Sequence, residues 1–479
     1  MSEMLNSFDL KSAKIIELCD GFTLCKGIKK RAVTFMILVC LQTALTGVYF
    51  MYSYSSIVRG IQIDIEHLRN NNIADLSRDN KSWIFRFENQ ETLGKFYFEP
   101  EAGSKKLYMW NKGKIIPVDV STSLAFEALA RKVINLGNCT ITNQNMSLET
   151  YSTVPNCRKI HKDIEDVSYF AFQEEIDVQI AYSILVYKDY QMVEFLLRTI
   201  YKPQNTYCIH VDNKSPKLFK NRVRGLAACF QNVFIATKPV NVYWGNFSVV
   251  EAEMSCMKDL LNKTKSWKYF INLTGQEFPL RTNYEIAKVL IALRGYNNMK
   301  CSDRIKKPDL LISGQPPYGL TAYKTSTHVV LTREFVEFIL YNKTAKAVLN
   351  WTKQLKIPSD EIAFSTLNCN QKLKAPGSHR GHPNDYNRTL NYIARFKVWI
   401  GKTSHVCNGK RLRGICSFGP KDLETLQNRY ELFANKFNIR AFPQVPYCLR
   451  NTLLKRTFLE YTGRLDYNVS YYENIPHKI

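Results

Sequence analysis

The hydrophobic and polar positions of the chain alternate with the periods of strands and helices from about residue 178 onwards. Residues 178–187, VQIAYSILVY, form a nearly continuous apolar and β-branched run, which is typical of a buried strand. The following segment carries Met192, Phe195 and Thr199 at helical spacing before Pro203 ends it. The pattern therefore predicts a strand followed by an amphipathic helix.

Further strand-like runs repeat this arrangement along the chain. A strand, a helix and a strand over about thirty residues form a βαβ unit, which predicts a parallel-rich α/β sheet with flanking helices. Ligands of such sheets bind at the carboxyl ends of the strands. Neither GxGxxG nor GxxxxGK[ST] occurs, so no glycine loop is expected to hold phosphates. The later runs are residues 205–213, 232–236, 267–275 and 326–332.

The N-terminal part carries an uncharged apolar run at residues 32–52, preceded by Lys29-Lys30-Arg31. Roughly twenty such residues cross the hydrocarbon core of a bilayer, and the preceding positive charges place residues 1–31 in the cytoplasm. A cleaved signal peptide is the alternative, but the run begins late and no small-residue cleavage site follows it. The pattern favours a transmembrane signal anchor. Residues 53–135 then read as a stem region with one or two hairpins.

Composition narrows the class of protein. The chain has 479 residues and is 45% hydrophobic and 13% aromatic, which suits a large globular domain. Its 66 Lys and Arg against 42 Asp and Glu give a net charge of +24, which attracts nucleic acid, anionic lipid or an acidic substrate such as a sugar nucleotide. The anchor and the absence of a zinc-finger or RNP signature argue against nucleic acid.

Cysteines and sequons both indicate an oxidising, luminal compartment. Three of the 13 cysteines lie in the tail or anchor, and the remaining ten favour a disulfide framework. No CxxC pair or Cys/His cluster occurs, which argues against zinc. Sequons also occur at Asn80, Asn213 and Asn272, of which Asn272 lies in an apolar strand-like run. The candidate N-glycosylation sites are Asn138, Asn145, Asn246, Asn262, Asn342, Asn350, Asn387 and Asn468.

Several ordered motifs between about residues 155 and 455 resemble one enzyme family. They include AYSILVYKDYQMVEFLLRTIYKPQNTYCIHVDNKS, WKYFINLTGQEFPLRTNYEI, PSDEIAFSTL, ARFKVW, ICSFGPKDL and LFANKF. Together they are similar to the core-2/I-branching N-acetylglucosaminyltransferase family, glycosyltransferase family 14. The resemblance implies a GT-A-like luminal domain at residues 136–455, with a C-terminal extension at 456–479, in a type II membrane protein of the Golgi apparatus.

The resemblance also implies a reaction. It is an inverting, metal-independent transfer of a sugar, in the first place GlcNAc, from a UDP donor to a Gal/GalNAc-type O-glycan acceptor on a glycoprotein, forming a β-1,6 branch. No cofactor beyond the UDP-sugar is expected. Other UDP donors, such as glucose or xylose, and a catalytically silent luminal glycan-binding protein remain as alternatives, and a homodimer is left open.

Inverting transfer needs one general base, and the resemblance places it at Glu361 in PSDEIAFSTL. Ser359 is the predicted N-cap, with Glu361 in the first helical turn, where the helix dipole favours an ionised carboxylate. A glutamate there for helix stability alone is the competing interpretation. Asp360 is the second candidate for the base.

The chain contains no Asp-x-Asp pair of the kind that holds a divalent metal in many GT-A enzymes. Arg413 and Lys436 match the family's diphosphate contacts and would supply the positive charge instead. By the same resemblance, Val186 and Asp212 lie on the uridine side and Trp399 faces the acceptor. Each of these five residues also has an ordinary structural interpretation.

The resemblance extends to disulfides and has departures. Tyr187 stands where many relatives have histidine, Lys300 falls at an acidic acceptor position, and Gly401 replaces an aromatic residue. The base and diphosphate positions are therefore better matched than the acceptor side. Cys301 and Cys369 are left over, and their pairing with each other is an open option. The implied pairs are Cys139 with Cys448, Cys157 with Cys229, Cys208 with Cys256, and Cys407 with Cys416.

Overall fold

The structure is a computed structural model that describes five strands between residues 73 and 118 and most of the chain from residue 155 onwards. The chain divides into two compact units, residues 1–76 with 85–94 and residues 77–84 with 95–479. The predicted anchor at 32–52 lies outside the described residues, among which no helix has the length and apolar character to span a bilayer. Described are residues 73–79, 82–87, 90–97, 106–111, 114–118, 133, 155–301, 303–304, 314–355, 358–378, 392–401, 403 and 405–475.

A five-stranded mixed sheet of order β14-β10-β7-β8-β9 forms the centre of the second unit. Strands β7, β8, β9 and β10 are parallel, and β14 pairs with β10 in the antiparallel sense. The predicted parallel-rich mixed sheet is confirmed. The strands are β7 (Ile180–Val186), β8 (Thr206–Val211), β9 (Val233–Ile235), β10 (Tyr269–Thr274) and β14 (Val330–Thr332).

Helices cover both faces of this sheet because its strands are apolar on both sides. Along β7, Tyr182 and Ile184 face one buried cluster while Ala181 faces another, as the two-residue period of a strand requires. Each fully buried large apolar side chain contributes about 1.5–3 kcal/mol. The first face packs α1 (Cys157–Ser168), α3 (Tyr190–Ile200), α4 (Lys217–Ala228) and α6 (Asn283–Ala292). The second packs α5 (Phe247–Lys263), α7 (Arg333–Tyr341), α8 (Lys343–Thr352) and α9 (Ala363–Cys369).

Two further sheets lie in the region predicted as a stem. Strands β1, β2 and β3 form a three-stranded sheet, and β4 and β5 form an antiparallel hairpin whose β4 also pairs with β6. Hairpin structure was the prediction for this region, and β4 and β5 form a hairpin. The strands are β1 (Ile73–Asp79), β2 (Ser82–Phe87), β3 (Gln90–Tyr97), β4 (Leu107–Asn111), β5 (Lys114–Val118) and β6 (Phe170–Phe172).

The C-terminal third completes the body around a third apolar cluster, which includes Phe195, Phe278 and Phe418. Tyr461 and Tyr472 are buried, so the residues predicted as an extension pack onto the body as far as residue 475. The remaining strands are β11 (Glu277–Pro279), β12 (Asp303–Arg304), β13 (Tyr323–Lys324), β15 (Lys410–Leu412), β16 (Ile415–Ser417) and β17 (Phe433–Asn435). The remaining helices are α2 (Gln173–Val178), α10 (Leu423–Gln427), α11 (Gln444–Tyr461) and α12 (Ser470–Glu473).

Disulfides tie these layers together. Cys208–Cys256 links β8 to α5, and such bridges typically contribute about 2–4 kcal/mol. Cys448 is also disulfide-bonded, and Cys139, the partner that the resemblance implies, lies outside the described residues. The left-over cysteines do pair with each other. The other bridges are Cys157–Cys229, Cys407–Cys416 and Cys301–Cys369.

The sequons differ in their exposure. Asn272 is buried in β10, where its amide donates to Thr327 O at 2.9 Å, so this sequon is closed to modification in the folded chain. Asn138, Asn145 and Asn387 lie outside the described residues. The remaining candidates are exposed and stay predictions of glycosylation: Asn246, Asn262, Asn342, Asn350 and Asn468.

Candidate active site

A cavity of about 470 Å³ opens at the carboxyl ends of β7, β8 and β10. The position follows from the parallel strands, whose carboxyl ends meet at one edge of the sheet. Tyr187 borders the cavity and is half exposed. The structure brings all six predicted catalytic and substrate-binding residues to this one cavity: Val186, Asp212, Glu361, Trp399, Arg413 and Lys436.

Val186 is the last residue of β7, and its side chain lies next to Gly275 in the loop after β10. A Cβ atom on Gly275 would lie 2.9 Å from Val193 Cγ2 and 3.2 Å from Val186 Cγ1. Any larger residue at Gly275 would therefore push this loop away from the end of β7. The bare glycine backbone keeps the cavity floor close to the two strand ends, where Gly275 N–H donates to Leu185 O at 3.1 Å.

Asp212 follows β8 directly and is held in place by backbone amides. Lys214 N–H and Val242 N–H donate to Asp212 Oδ1 at 2.9 and 3.3 Å. Lys214 Nζ lies 3.7 Å from Asp212 Oδ2. These contacts fix the carboxylate at the edge of the cavity, where it is able to accept hydrogen bonds from a sugar or base of a ligand.

Glu361 occupies a 3₁₀ turn, Ser359–Glu361, that precedes α9. The predicted N-cap at Ser359 is wrong: Ser359 lies inside this turn, is buried, and donates its backbone N–H to Gly245 O at 3.1 Å. Pro358 leads into the turn, and Ile362 N–H closes it onto Ser359 O at 3.1 Å. The α-helix begins only at Ala363, because Ile362 stands at φ −117° between the two.

The Glu361 carboxylate has one direct cationic partner among the described residues. Lys324 Nζ lies 3.2 Å from Glu361 Oε2, and both side chains are partly exposed. Exposed pairs of this kind contribute about 0–1 kcal/mol, so a substrate group can replace this one at low cost. Thr325 N–H donates to Glu361 O at 2.8 Å and fixes the backbone beneath the carboxylate.

Asp360, the second candidate for the base, has a different environment. Burial, and then the neighbouring Glu361 carboxylate, raise the pKa of Asp360 to about 6. Its Oδ1 is buried without a hydrogen-bond partner in the described part of the chain. Asp360 therefore holds a proton more readily than an ordinary aspartate does.

Arg413 and Lys436 reach the cavity from two different elements. Arg413 (φ 53°) and Gly414 (φ 82°) form the two-residue turn of the β15–β16 hairpin, and two positive φ angles are what such a tight hairpin requires. Lys436 follows β17, and its carbonyl accepts from Phe418 N–H at 3.0 Å. Burial and then Lys188 lower the pKa of Lys436, with Arg413 acting in the same direction.

Trp399 lies beside this hairpin. It pairs with Ile415 through an isolated antiparallel bridge, and Ile400 N–H donates to Gly414 O at 2.9 Å. Its exposed fraction is 36%, and the exposed part of the side chain borders the cavity. An aromatic side chain exposed at a cavity suits the apolar face of a sugar ring.

Sequence reasoning missed a buried ion cluster behind the cavity. Glu277 Oε2 lies 3.1 Å from Arg395 Nε, and Glu277 Oε1 lies 2.5 Å from His328 Nε2 and accepts from Asn435 Nδ2 at 2.9 Å. Burial raises the pKa of Glu277, but Arg395 and His328 outweigh this effect and lower it to about 2. Burial lowers the pKa of His328 to about 3. Charged residues in apolar motifs, Glu277 in GQEFP and Arg395 in ARFKVW, were the available signal.

It also missed an aromatic pair at the rim. Tyr243 and Trp244 border the cavity with exposed fractions of 56% and 79%, and Lys214 Nζ lies 3.9 Å from the Tyr243 ring centroid. Adjacent aromatics in a loop with Gly245, in VYWGN, were the signal. Among the described residues, no three His, Cys, Asp or Glu side chains cluster so as to hold a metal ion.

Comparison with known proteins gives one family. The family model of the core-2/I-branching enzyme matches residues 180–427. The human β-1,3-galactosyl-O-glycosyl-glycoprotein β-1,6-N-acetylglucosaminyltransferase 3 is 32% identical over 327 residues, which cover 63% of this chain and 74% of the relative. A β-1,3-galactosyl-O-glycosyl-glycoprotein β-1,6-N-acetylglucosaminyltransferase of bovine herpesvirus 4 (strain V. test) is 34% identical over 322 residues, 62% of this chain and 72% of the relative.

A solved galactosyltransferase, LgtC with donor and acceptor sugar analogues, aligns at 9% identity and a TM-score of 0.26, over 42% of this chain and 72% of that one. The family match spans the central sheet, most of the cavity residues and the 3₁₀ turn of Glu361. The mixed sheet with its flanking helices is the GT-A-like arrangement that the resemblance implied. The chain is a glycosyltransferase that belongs to the core-2/I-branching enzyme family.

Proposed function

We propose that this chain transfers GlcNAc from UDP-GlcNAc to a Gal/GalNAc-type O-glycan on a glycoprotein and forms a β-1,6 branch with inversion at the anomeric carbon. The relatives' names describe β-1,6-N-acetylglucosaminyl transfer to β-1,3-galactosyl-O-glycosyl glycoproteins. The observation that carries the proposal is the convergence of Glu361, Arg413 and Lys436 on one cavity from three separate segments of the chain. A glycan-binding protein without activity has no need of this combination.

The donor fits the strand ends. Val186 and Asp212 would contact the uridine. Both border the cavity, and the amide-held Asp212 carboxylate is an acceptor for hydroxyl groups. Arg413 and Lys436 would neutralise the diphosphate. Their charges are close enough for Arg413 to lower the pKa of Lys436, which supports their acting together. A bound diphosphate relieves this repulsion, which favours donor binding.

Glu361 is the proposed base. The carboxylate accepts the proton of the acceptor hydroxyl as that oxygen attacks the anomeric carbon, while the bond to UDP breaks on the opposite side. The negative charge that develops on UDP is stabilised by Arg413 and Lys436. The exposed part of Trp399 supports an acceptor sugar beside the base, and the weak pair with Lys324 opens as the acceptor enters.

The two side-chain cations would supply the charge that a divalent metal supplies in many GT-A enzymes, and metal independence is part of the proposal. So is the location, a Golgi membrane with residues 32–52 as anchor and the catalytic domain in the lumen. Exposed sequons, four disulfide bridges among the described residues and the further disulfide-bonded Cys448 support a luminal fold.

Another UDP-sugar donor, such as glucose or xylose, is the alternative. Tyr187 is the reason for this alternative. It borders the cavity and is half exposed, and it stands where the resemblance places a histidine, so it could change which donor sugar is bound.

The test is an assay of the full-length chain, extracted in mild detergent, with a panel of UDP-sugars, Gal-GalNAc acceptors and EDTA, followed by mass spectrometry. We expect transfer of GlcNAc in EDTA. Transfer of another hexose would change the donor, activity restored only by Mn²⁺ would overturn metal independence, and UDP binding without any transfer would contradict the enzyme proposal.

A further inference from the structure

Lys397 also borders the cavity. It stands between Arg395 and Trp399 on an extended segment, so the three side chains alternate with Phe396 and Val398, which are buried in the third apolar cluster. Arg395 points to the buried Glu277, while Trp399 and Lys397 line the cavity. Lys397 is half-buried, so it keeps contact with the cavity solvent.

A chain of polar contacts holds the Lys397 side chain. Its Nζ donates to Ser326 Oγ at 3.4 Å, Ser326 Oγ lies 3.2 Å from His328 Nδ1, and His328 Nε2 lies 2.5 Å from Glu277 Oε1. Because burial keeps His328 neutral, its single N–H belongs on Nε2 facing Glu277, and Nδ1 accepts from the Ser326 hydroxyl. The Ser326 oxygen is then left to accept from Lys397.

The charge of Lys397 is only partly compensated. Its ammonium has no direct ion pair in the described part of the chain, since the one buried carboxylate of this wall, Glu277, is already bound by Arg395 and His328. Burial lowers the pKa of Lys397 to about 8, and Glu277 opposes this shift. The charged and titratable groups around it are Glu277, His328, Asp360, Glu361, Arg395 and Lys436.

Two of these neighbours belong to the proposed reaction. The Glu361 carboxylate raises the pKa of Lys397, and the Lys436 ammonium lowers it, so Lys397 is within electrostatic reach of both the base and a leaving-group cation. The charges around the Lys397 ammonium change during the proposed transfer. Glu361 loses its negative charge when it takes the proton, at the moment when negative charge appears on UDP.

We infer that Lys397 is a third cation of the transfer site, which binds the departing diphosphate of the UDP-sugar together with Arg413 and Lys436. The inference rests on the proposed function. In the step, the acceptor oxygen forms its bond to the anomeric carbon, the acceptor proton goes to Glu361, and the electron pair of the broken bond leaves on UDP. Lys397 stabilises the carboxylate before the step and the diphosphate after it.

The experiment measures UDP affinity of the full-length chain by calorimetry between pH 7 and 9.5 for the wild type, Lys397→Met and Lys397→Arg. At pH 7, we expect Lys397→Met to weaken UDP binding roughly tenfold, as for the loss of a charge-assisted hydrogen bond. Wild-type affinity should fall as the pH rises through about 8, because Lys397 loses its charge there. Lys397→Met should lack most of this fall, and Lys397→Arg should bind at pH 9 as it does at pH 7.

Controls separate this role from a structural one and from failure of the proposed function. Lys421→Met removes an exposed lysine outside the cavity and should leave both affinity and pH profile unchanged. Ser326→Ala should weaken UDP binding less than Lys397→Met. If the wild type binds UDP and Lys397→Met has the same affinity and pH profile, the inference is overturned while the function stands. If the wild type neither binds UDP nor transfers sugar, both fall together.

Discussion

Two carboxylates near the cavity, Glu277 behind it and Asp360 at its edge, are both largely withdrawn from solvent, yet their pKa values shift in opposite directions. Glu277 is bound by Arg395, His328 and Asn435. Burial raises its pKa, but Arg395 and His328 outweigh burial and lower it to about 2. Asp360 has a buried oxygen without a partner in the described chain and lies next to Glu361, and its pKa rises to about 6. Burial alone therefore does not decide the charge of a carboxylate, whereas its partners do.

The difference distinguishes two parts of the site. We call the buried ion cluster of Glu277 and Arg395 the frame, and the cavity border with Asp360 and Glu361 the reactive edge. The wall with Glu277 and Arg395 is permanently charged and internally neutralised, so it positions the strands without taking part in proton transfer. At the reactive edge, Glu361 is partly exposed and paired only with the exposed Lys324, as an acid–base site requires.

The largest expected effect is on the reactive edge. Glu361→Gln should reduce kcat by about 10²–10⁴-fold, because the amide cannot take the acceptor proton. UDP affinity, measured by calorimetry, should stay within about threefold of wild type. The matched control is Glu424→Gln, an exposed glutamate on α10. Wild-type kcat in Glu361→Gln would assign the base elsewhere, with Asp360 next in line.

The frame should respond in stability. Glu277→Gln leaves the Arg395 charge buried without its carboxylate and should lower the free energy of unfolding by about 3–5 kcal/mol, measured by urea denaturation. The contribution of Glu277 is present above about pH 4.5 and is lost as the pH falls towards 2, because its folded-state pKa is depressed. Glu337→Gln removes an exposed glutamate from α7 and should change stability by less than about 0.5 kcal/mol. Equal losses of unfolding free energy in the two variants would refute a stabilising role of the Glu277 cluster.

Donor binding should depend on the hairpin turn. Arg413→Met should weaken UDP binding roughly tenfold and reduce turnover, since it removes charge-assisted contacts to the diphosphate. Arg411→Met, an exposed change on the same hairpin but outside the cavity, should leave both unchanged. Identical affinities for the two variants would remove Arg413 from the donor site.

The smallest effect belongs to Asp360. Because the pKa of Asp360 is raised in the folded state, its carboxyl group is neutral below about pH 4 and does not lower the free energy of unfolding there. The free energy of unfolding falls as the pH rises towards about 6, where Asp360 becomes charged. Asp360→Asn should therefore raise stability at pH 8 by about 1 kcal/mol, discounted for its partial exposure, and should change little at pH 4. Thermal unfolding at the two pH values checks this, and a loss of stability at pH 8 would show that Asp360 is paired.

Much of the fold was predictable, because strand and helix periods are local properties of the sequence. The run before Val186 and the helix after it follow directly from apolar spacing, and the parallel order follows from the βαβ repeat. The ordered motifs also selected Glu361 and Arg413, two residues that no local pattern distinguishes from ordinary surface charges.

What was not predictable depends on contacts between distant residues. The cluster of Glu277 with His328 and Arg395 joins three segments, and a charge within an apolar motif does not indicate its partner in another segment. The N-cap prediction at Ser359 failed because the Ser359 N–H donates to the carbonyl of Gly245, more than a hundred residues away, and Ser359 lies inside a 3₁₀ turn. Tertiary hydrogen bonds overrode the local helix signal.

The central claim is that Glu361 and the cations at this cavity perform a single displacement, so that the sugar is inverted. Proton NMR of the product formed at the earliest times from an α-linked UDP-sugar, before any anomeric exchange, tests it most directly. A β-linked product, with the large coupling between H1 and H2 of a β-glucosamine, is the result that one base without a covalent intermediate predicts. An α-linked product would contradict the claim, since retention requires a second displacement.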